Sequence, residues 1–165
     1  MKPLSHAFLP LALLLVLGGC KKDDPKPIDR LPAATTEGKN TWGCLVNGEA
    51  WMSSGATNMR ADWTVPNGRY CVMSFTRQSV WLGIQDRFTA GTYPLAPVDS
   101  ASYAKVFTPS KNYDFDRLIN GHLTLSRLDR QAGVMAGTFE FVMVGGPGDT
   151  LRVTDGRFDI GNMDR

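Results

Sequence analysis

Histidine is almost missing from this chain: His6 and His122 are the only two in 165 residues. His6 lies in an N-terminal stretch that reads as a cleaved signal, which leaves His122 alone. A Ser–His–Asp site would have to use it, and no Gly-x-Ser-x-Gly elbow accompanies it. A zinc centre needs three or four nitrogen or sulfur ligands, so a His-based zinc site is not expected; no cofactor is expected either. Cysteine is scarce too, at three residues with no Cys-x-x-Cys spacing. Gly145-Gly146-Pro147-Gly148 lacks the lysine and helix of a phosphate loop. An excess of either charge is missing as well: 18 Lys+Arg face 16 Asp+Glu. Nothing in that balance draws the chain to nucleic acid. Long apolar runs are absent. The longest, Ala7–Leu17, is about 11 residues, where a bilayer span takes roughly 20.

What is present at the N-terminus has the order of a secretory signal. Met1–His6 carries one lysine, Ala7–Leu17 is apolar apart from Pro10, and Gly18-Gly19 are small. Leu17-Gly18-Gly19-Cys20 resembles the lipobox of bacterial lipoproteins, in which the cysteine thiol receives a diacylglycerol and becomes the mature N-terminus. Only a thiol offers the nucleophile for that step, and two or more acyl chains hold a protein firmly to a membrane. The resemblance implies a partner, the membrane, engaged through acyl chains on Cys20, and a place in the cell envelope as an outer-membrane lipoprotein. Lys21-Lys22-Asp23-Asp24 resembles the short charged tag that directs lipoproteins of the Bacteroidota to the outer face of that membrane. The organisation expected is a signal peptide over 1–19, the lipidated cysteine and a disordered tether over 20–40, and one all-β domain over 41–165. Pro25, Pro27 and Pro32 exclude regular helix or central strand from the tether.

From Thr41 onward the hydrophobic period is two. Met135, Phe139, Phe141 and Met143 share one face, with Thr138 and Glu140 on the other. Leu123 and Leu125 alternate with polar neighbours, as do Val80, Leu82 and Ile84 with Trp81 and Gln85. Cys71, Met73 and Phe75 are read as one inward face. Asn47-Gly48 suits a two-residue type I′ hairpin, which needs positive φ at both positions. Leu128–Gly133 and Gly145–Asp149 close further hairpins. No segment carries a helical stripe ten residues long. Short strands joined by tight turns predict an antiparallel β-sandwich or partly open barrel. Near the C-terminus Leu151 and Val153 are out of step with Phe158 and Ile160. A β-bulge at Asp155-Gly156, with the glycine supplying the unusual backbone angle, restores one face; a tight hairpin there is the rival.

Four short motifs appear in order: Trp42-Gly43-Cys44-Leu45-Val46-Asn47-Gly48, Gly91-Thr92-Tyr93-Pro94-Leu95, Gly137-Thr138-Phe139-Glu140-Phe141 and Thr154-Asp155-Gly156-Arg157-Phe158-Asp159. Together with the anchor they resemble a family of small, uncharacterised lipoproteins of the Bacteroidota, a domain of unknown function. The resemblance spans most of residues 41–160. It implies a secreted all-β domain and supplies no catalytic residues.

Candidate sites follow from the residues themselves. With Cys20 lipidated, Cys44 and Cys71 remain, an even number in an oxidising compartment. They form a disulfide if their Cα atoms lie within about 7 Å, or else stay as two buried thiols. Closing a loop of roughly 27 residues would contribute about 3 kcal/mol. Trp51, Trp63 and Trp81 are candidate ligand-binding residues, because exposed indoles stack on sugar rings and anchor protein partners. Asn112, Asp114 and Asp116 alternate and would share one strand face, either a calcium-binding row or the solvated side of an edge strand. His122, just after Asn120-Gly121, is expected to be exposed at a strand entrance. The function expected is a non-enzymatic binding or envelope-structural module; a glycan-binding surface lipoprotein and a carboxylate-based hydrolase are the alternatives. Glycans and envelope proteins are thus the partners considered beside the membrane. Metabolic labelling with a fatty-acid probe is expected to mark the wild-type chain and to leave Cys20→Ala unlabelled.

Overall fold

The two-residue rhythm becomes ten antiparallel strands in a computed structural model that describes residues 24–55, 57–64, 69–74, 79–85, 89–95, 102–108, 117–146, 148–161 and 163. They are β1 (Thr41–Val46), β2 (Glu49–Ser54), β3 (Met59–Thr64), β4 (Arg69–Ser74), β5 (Ser79–Gln85), β6 (Gly91–Pro94), β7 (Ser102–Phe107), β8 (Arg117–Asp129), β9 (Val134–Val144) and β10 (Thr150–Ile160). One sheet has the order β2-β1-β10-β9-β8-β6 and the other β3-β4-β5-β7. The chain is an all-β sandwich. Among the described residues no helix is long and apolar enough to cross a membrane.

The turns behave as their residues require. Asn47 (φ 50°) and Gly48 (φ 86°) both take positive φ, as a type I′ hairpin between β1 and β2 demands. Between the sheets lie Trp42, Cys44 and Val46 from β1, Leu123 and Leu125 from β8, and Met135, Phe139, Phe141 and Met143 from β9. Leu151, Val153, Phe158 and Ile160 of β10 join them. Phe139 is the hub of the aromatic core. Its ring centroid lies 5.6 Å from Trp42, 6.1 Å from Phe141 and 6.3 Å from Phe158, within the range of favourable aromatic pairs.

All four apolar residues of β10 reach that core because the strand is bulged. Its register against β9 shifts between Val153 and Gly156, so the hairpin alternative is set aside. The unusual backbone angle belongs to Asp155 (φ 53°) rather than to the glycine; aspartate tolerates the left-handed region better than most residues. Gly156 is needed for space instead. A Cβ there would sit 2.4 Å from the Phe139 ring.

The reading of β4 is corrected by one residue. Its core side chain is Val72, paired with Leu82 and Ala61, which are also buried. The inward face is therefore that of Val72, out of step with the expected Cys71–Met73–Phe75 face. Both faces of this strand are apolar, so alternation could not choose between them.

A second correction concerns the chain before β1. Residues 24–40 were expected to belong to a tether. Pro27–Arg30 form one 3-10 turn, and residues 31–40 lie as a strap across the outer face of the six-stranded sheet. Leu31 is buried and, with Pro32, covers Gly43. A Cβ on Gly43 would meet Pro32 Cδ at 2.7 Å. Asp159, 1% exposed, fastens the strap. Its carboxylate accepts the Thr35 hydroxyl at 2.5 Å and the N–H groups of Gly38 (2.7 Å), Glu37 (3.1 Å) and Lys39 (3.2 Å). Arg127 Nη1 donates to the Thr36 carbonyl at 2.8 Å, and Asn40 Oδ1 accepts the Gly161 N–H at 3.0 Å.

Burial alone would raise the Asp159 pKa. The hydrogen bonds from Thr35, Gly38, Lys39 and Glu37 outweigh it together and hold the carboxyl below its ordinary value. A group whose folded pKa is depressed stabilises the fold above its unfolded pKa, and that contribution is lost as pH falls through the folded one. In urea titrations Asp159→Ala is expected to lose about 2–4 kcal/mol, since several donors are left without their charged acceptor. Stability of the wild type should fall on acidification below about pH 4, and Asp159→Asn should flatten that dependence.

Candidate functional site

The outer face of the six-stranded sheet carries a polar patch beside the strap. Alternation along β9 turns Thr138 and Glu140 outward, and along β8 it turns His122 and Thr124 outward. The bulge in β10 presents Asp155 and Arg157 on the same side. Register then aligns them. Arg157 lies opposite Thr138, and Thr138 opposite Thr124; one step along, Glu140 lies opposite His122. His122, Thr138, Glu140, Asp155 and Arg157 border a groove of about 350 Å³, with Ala34 of the strap at its margin.

The one permanent cation among the described residues of this groove, Arg157, is held by backbone carbonyls. Arg157 Nε donates to the Asp155 carbonyl at 3.1 Å, and Nη1 donates to the Pro32 carbonyl at 3.3 Å. The guanidinium is thereby pinned between the bulge and the strap. His122 Nδ1 stands 3.6 Å from Glu140 Oε1, and both side chains are about half exposed. That separation is too long for a hydrogen bond and gives an ion pair only when the imidazole is protonated. The groove thus offers a guanidinium and an imidazole, two carboxylate acceptors and the Thr138 hydroxyl over a short span. Such a set can hydrogen-bond a ligand whose groups both donate and accept.

The residues singled out from sequence are not gathered at one place. Cys20 and the row Asn112, Asp114, Asp116 lie outside the described residues. Cys44 is a free thiol, fully buried in the core. Desolvation pushes its pKa far up, so it is a small apolar core residue here. Cys71 is on β4 in the facing sheet, with its side chain outside the described residues; the same holds for the side chain of Trp63 on β3. Trp51 is half-buried and packs against the core. Trp81 is half-buried on the strand side opposite Val80 and Leu82, both in the core. Next to it Tyr103 lies across Gly83, its ring in the space a Cβ would fill. His122 is exposed as expected but sits within β8, not at its entrance. Among the described residues no group of three or more His, Cys, Asp or Glu is placed to hold a metal ion.

Glu140, Asp155 and Arg157 were not singled out as a site. The parity change between Val153 and Phe158 was the signal that could have found two of them, because a bulge re-aims the side chains beside it.

No protein-family model, no curated protein and no solved structure matches this chain.

Alkylation of Cys44 by iodoacetamide at pH 8 is expected to be negligible in the folded protein and rapid after unfolding in urea, as read by peptide mass spectrometry.

Proposed function

We propose that this chain is a lipid-anchored binding module of the outer membrane, and that it holds a neutral, hydroxyl-rich ligand, a glycan, in the groove between strap and bulge. The observation that carries this reading is the mixture of groups in the groove. Arg157 and His122 supply donors, while Glu140 and Asp155 supply acceptors. An anionic ligand would meet two carboxylates there, and a cationic one would meet a guanidinium. A hydroxyl is donor and acceptor at once and suits both. The lipobox-like stretch ending at Cys20 and the ordered motifs resembling Bacteroidota lipoproteins support the place at the membrane. Trp81 and Tyr103 give the opposite sheet an aromatic surface of its own, where stacking would hold a sugar ring.

The second reading, a carboxylate-based hydrolase, draws on Glu140 and Asp155 sharing one groove. A glycosidase works with two such groups at a defined separation.

A glycan array probed with the mature chain carrying Cys20→Ala tests both. Binding is expected, and His122→Ala and Glu140→Ala should each weaken it by about tenfold, one good hydrogen-bonding group's worth. Absence of any glycan signal, or binding untouched in both variants, removes the groove as the site. Loss confined to Trp81→Ala moves it to the other sheet, and turnover of the bound glycan that disappears in Glu140→Gln favours the hydrolase.

A further inference from the structure

The described residues include three exposed large hydrophobic side chains: Ile28 (42%), Met52 (46%) and Ile119 (55%). Single exposed apolar residues are ordinary on a protein surface. Two of these three, however, lie where the chain enters the fold. Ile28 belongs to the 3-10 turn Pro27–Arg30, which packs beside β2. Met52 is on β2, the edge strand of the six-stranded sheet, and borders an open groove of about 450 Å³ with Arg30, Pro32 and Thr41. Ile119 is elsewhere, near the start of β8, toward the end of the sheet that carries the β9–β10 turn.

Only residues 21–26 separate Cys20 from that turn. Even fully extended they reach about 20 Å, a third of what a free segment up to Thr41 would allow. The strap removes the rest of the slack. An acylated Cys20 would therefore keep this edge of the sandwich within about 20 Å of the lipid headgroups, with the β1–β2 side nearest.

We infer that Ile28 and Met52 form the face on which the domain rests against the bilayer. The inference rests on the lipid-anchor reading of Cys20. The occupant is lipid because the short connection ends there. Between Cys20 and Leu31 the basic Lys21, Lys22, Lys26 and Arg30 face the acidic Asp23, Asp24 and Asp29, a net charge of only +1, so charge draws this face to lipid weakly. Contact is then made by apolar side chains at the headgroup boundary. It does not depend on anionic lipid and responds only weakly to salt, which screens charge pairs but not apolar burial. The acyl chains supply the attachment, and Ile28 and Met52 set the orientation.

The test uses the lipidated full-length mature protein in phosphatidylcholine vesicles that contain brominated lipid. An environment-sensitive fluorescent amino acid is placed at position 28, 52 or 119, all exposed, with strand content checked by circular dichroism. Emission at 28 and 52 is expected to be quenched roughly twofold or more, with little change at 119 and little change between low and high salt. Vesicle-bound, fatty-acid-labelled protein whose positions 28 and 52 are quenched no more than 119 overturns the inference and leaves the anchor standing. The same result follows if another protein or a second copy covers this face. A chain that takes up no fatty-acid probe and does not float with vesicles overturns the anchor reading, and this inference with it.

Discussion

One buried carboxylate organises the N-terminal half of the outer surface. Asp159 is at the end of β10, near the middle of the six-stranded sheet, and its oxygens face away from the core. A carboxylate is an acceptor only, and removing it from water is costly unless donors replace the lost solvent. The donors come from Thr35, Glu37, Gly38 and Lys39, a segment with no regular structure of its own. The exchange works in both directions. The charge gains partners, and a proline-rich stretch gains a fixed path. Leu31, Val134 and Ala136 are then buried outside the main core, a small second apolar layer under the strap.

The same strap shapes both open surfaces on that face. Pro32 borders the groove beside Met52, and Ala34 borders the groove beside Arg157. Met52, Gly43, Arg157, Thr138, Thr124 and Thr92 form one continuous row across six strands. Pro32 crosses that row over Gly43 and separates the side of Met52 from the side of Arg157. Two open grooves therefore share one sheet without a lining residue in common.

The bulge in β10 links the core to the groove. One extra residue lets Leu151 and Val153 face inward together with Phe158 and Ile160. The inserted backbone also brings Asp155 and Arg157 to the outer face. Gly156 has no room for a side chain under Phe139, and the positive φ lies at the residue before it. Packing of the aromatic cluster and placement of the groove charges are thus consequences of the same local geometry.

Much of the sandwich was legible in the chain. β8, β9 and β10 each set a row of large apolar side chains on one face against polar residues such as His122, Thr138, Glu140 and Arg157 on the other, and that row fixes which face turns inward. Asn47-Gly48 set its own turn, and the phase break before Phe158 marked the bulge. β4 was not legible, because Val72 and its neighbours are all apolar and either face could turn inward. The strap was not legible either. Its acceptor lies 120 or more residues further along the chain, and prolines in a polar stretch carry no period. The groove was hidden for a related reason: Glu140, His122 and Arg157 come from three strands, and only register puts them side by side. Alternation is a property of neighbouring residues and is written in the sequence. Which strands meet, in what register, and what a buried charge draws onto the sheet depend on contacts between distant segments, and those exist only once the chain has folded.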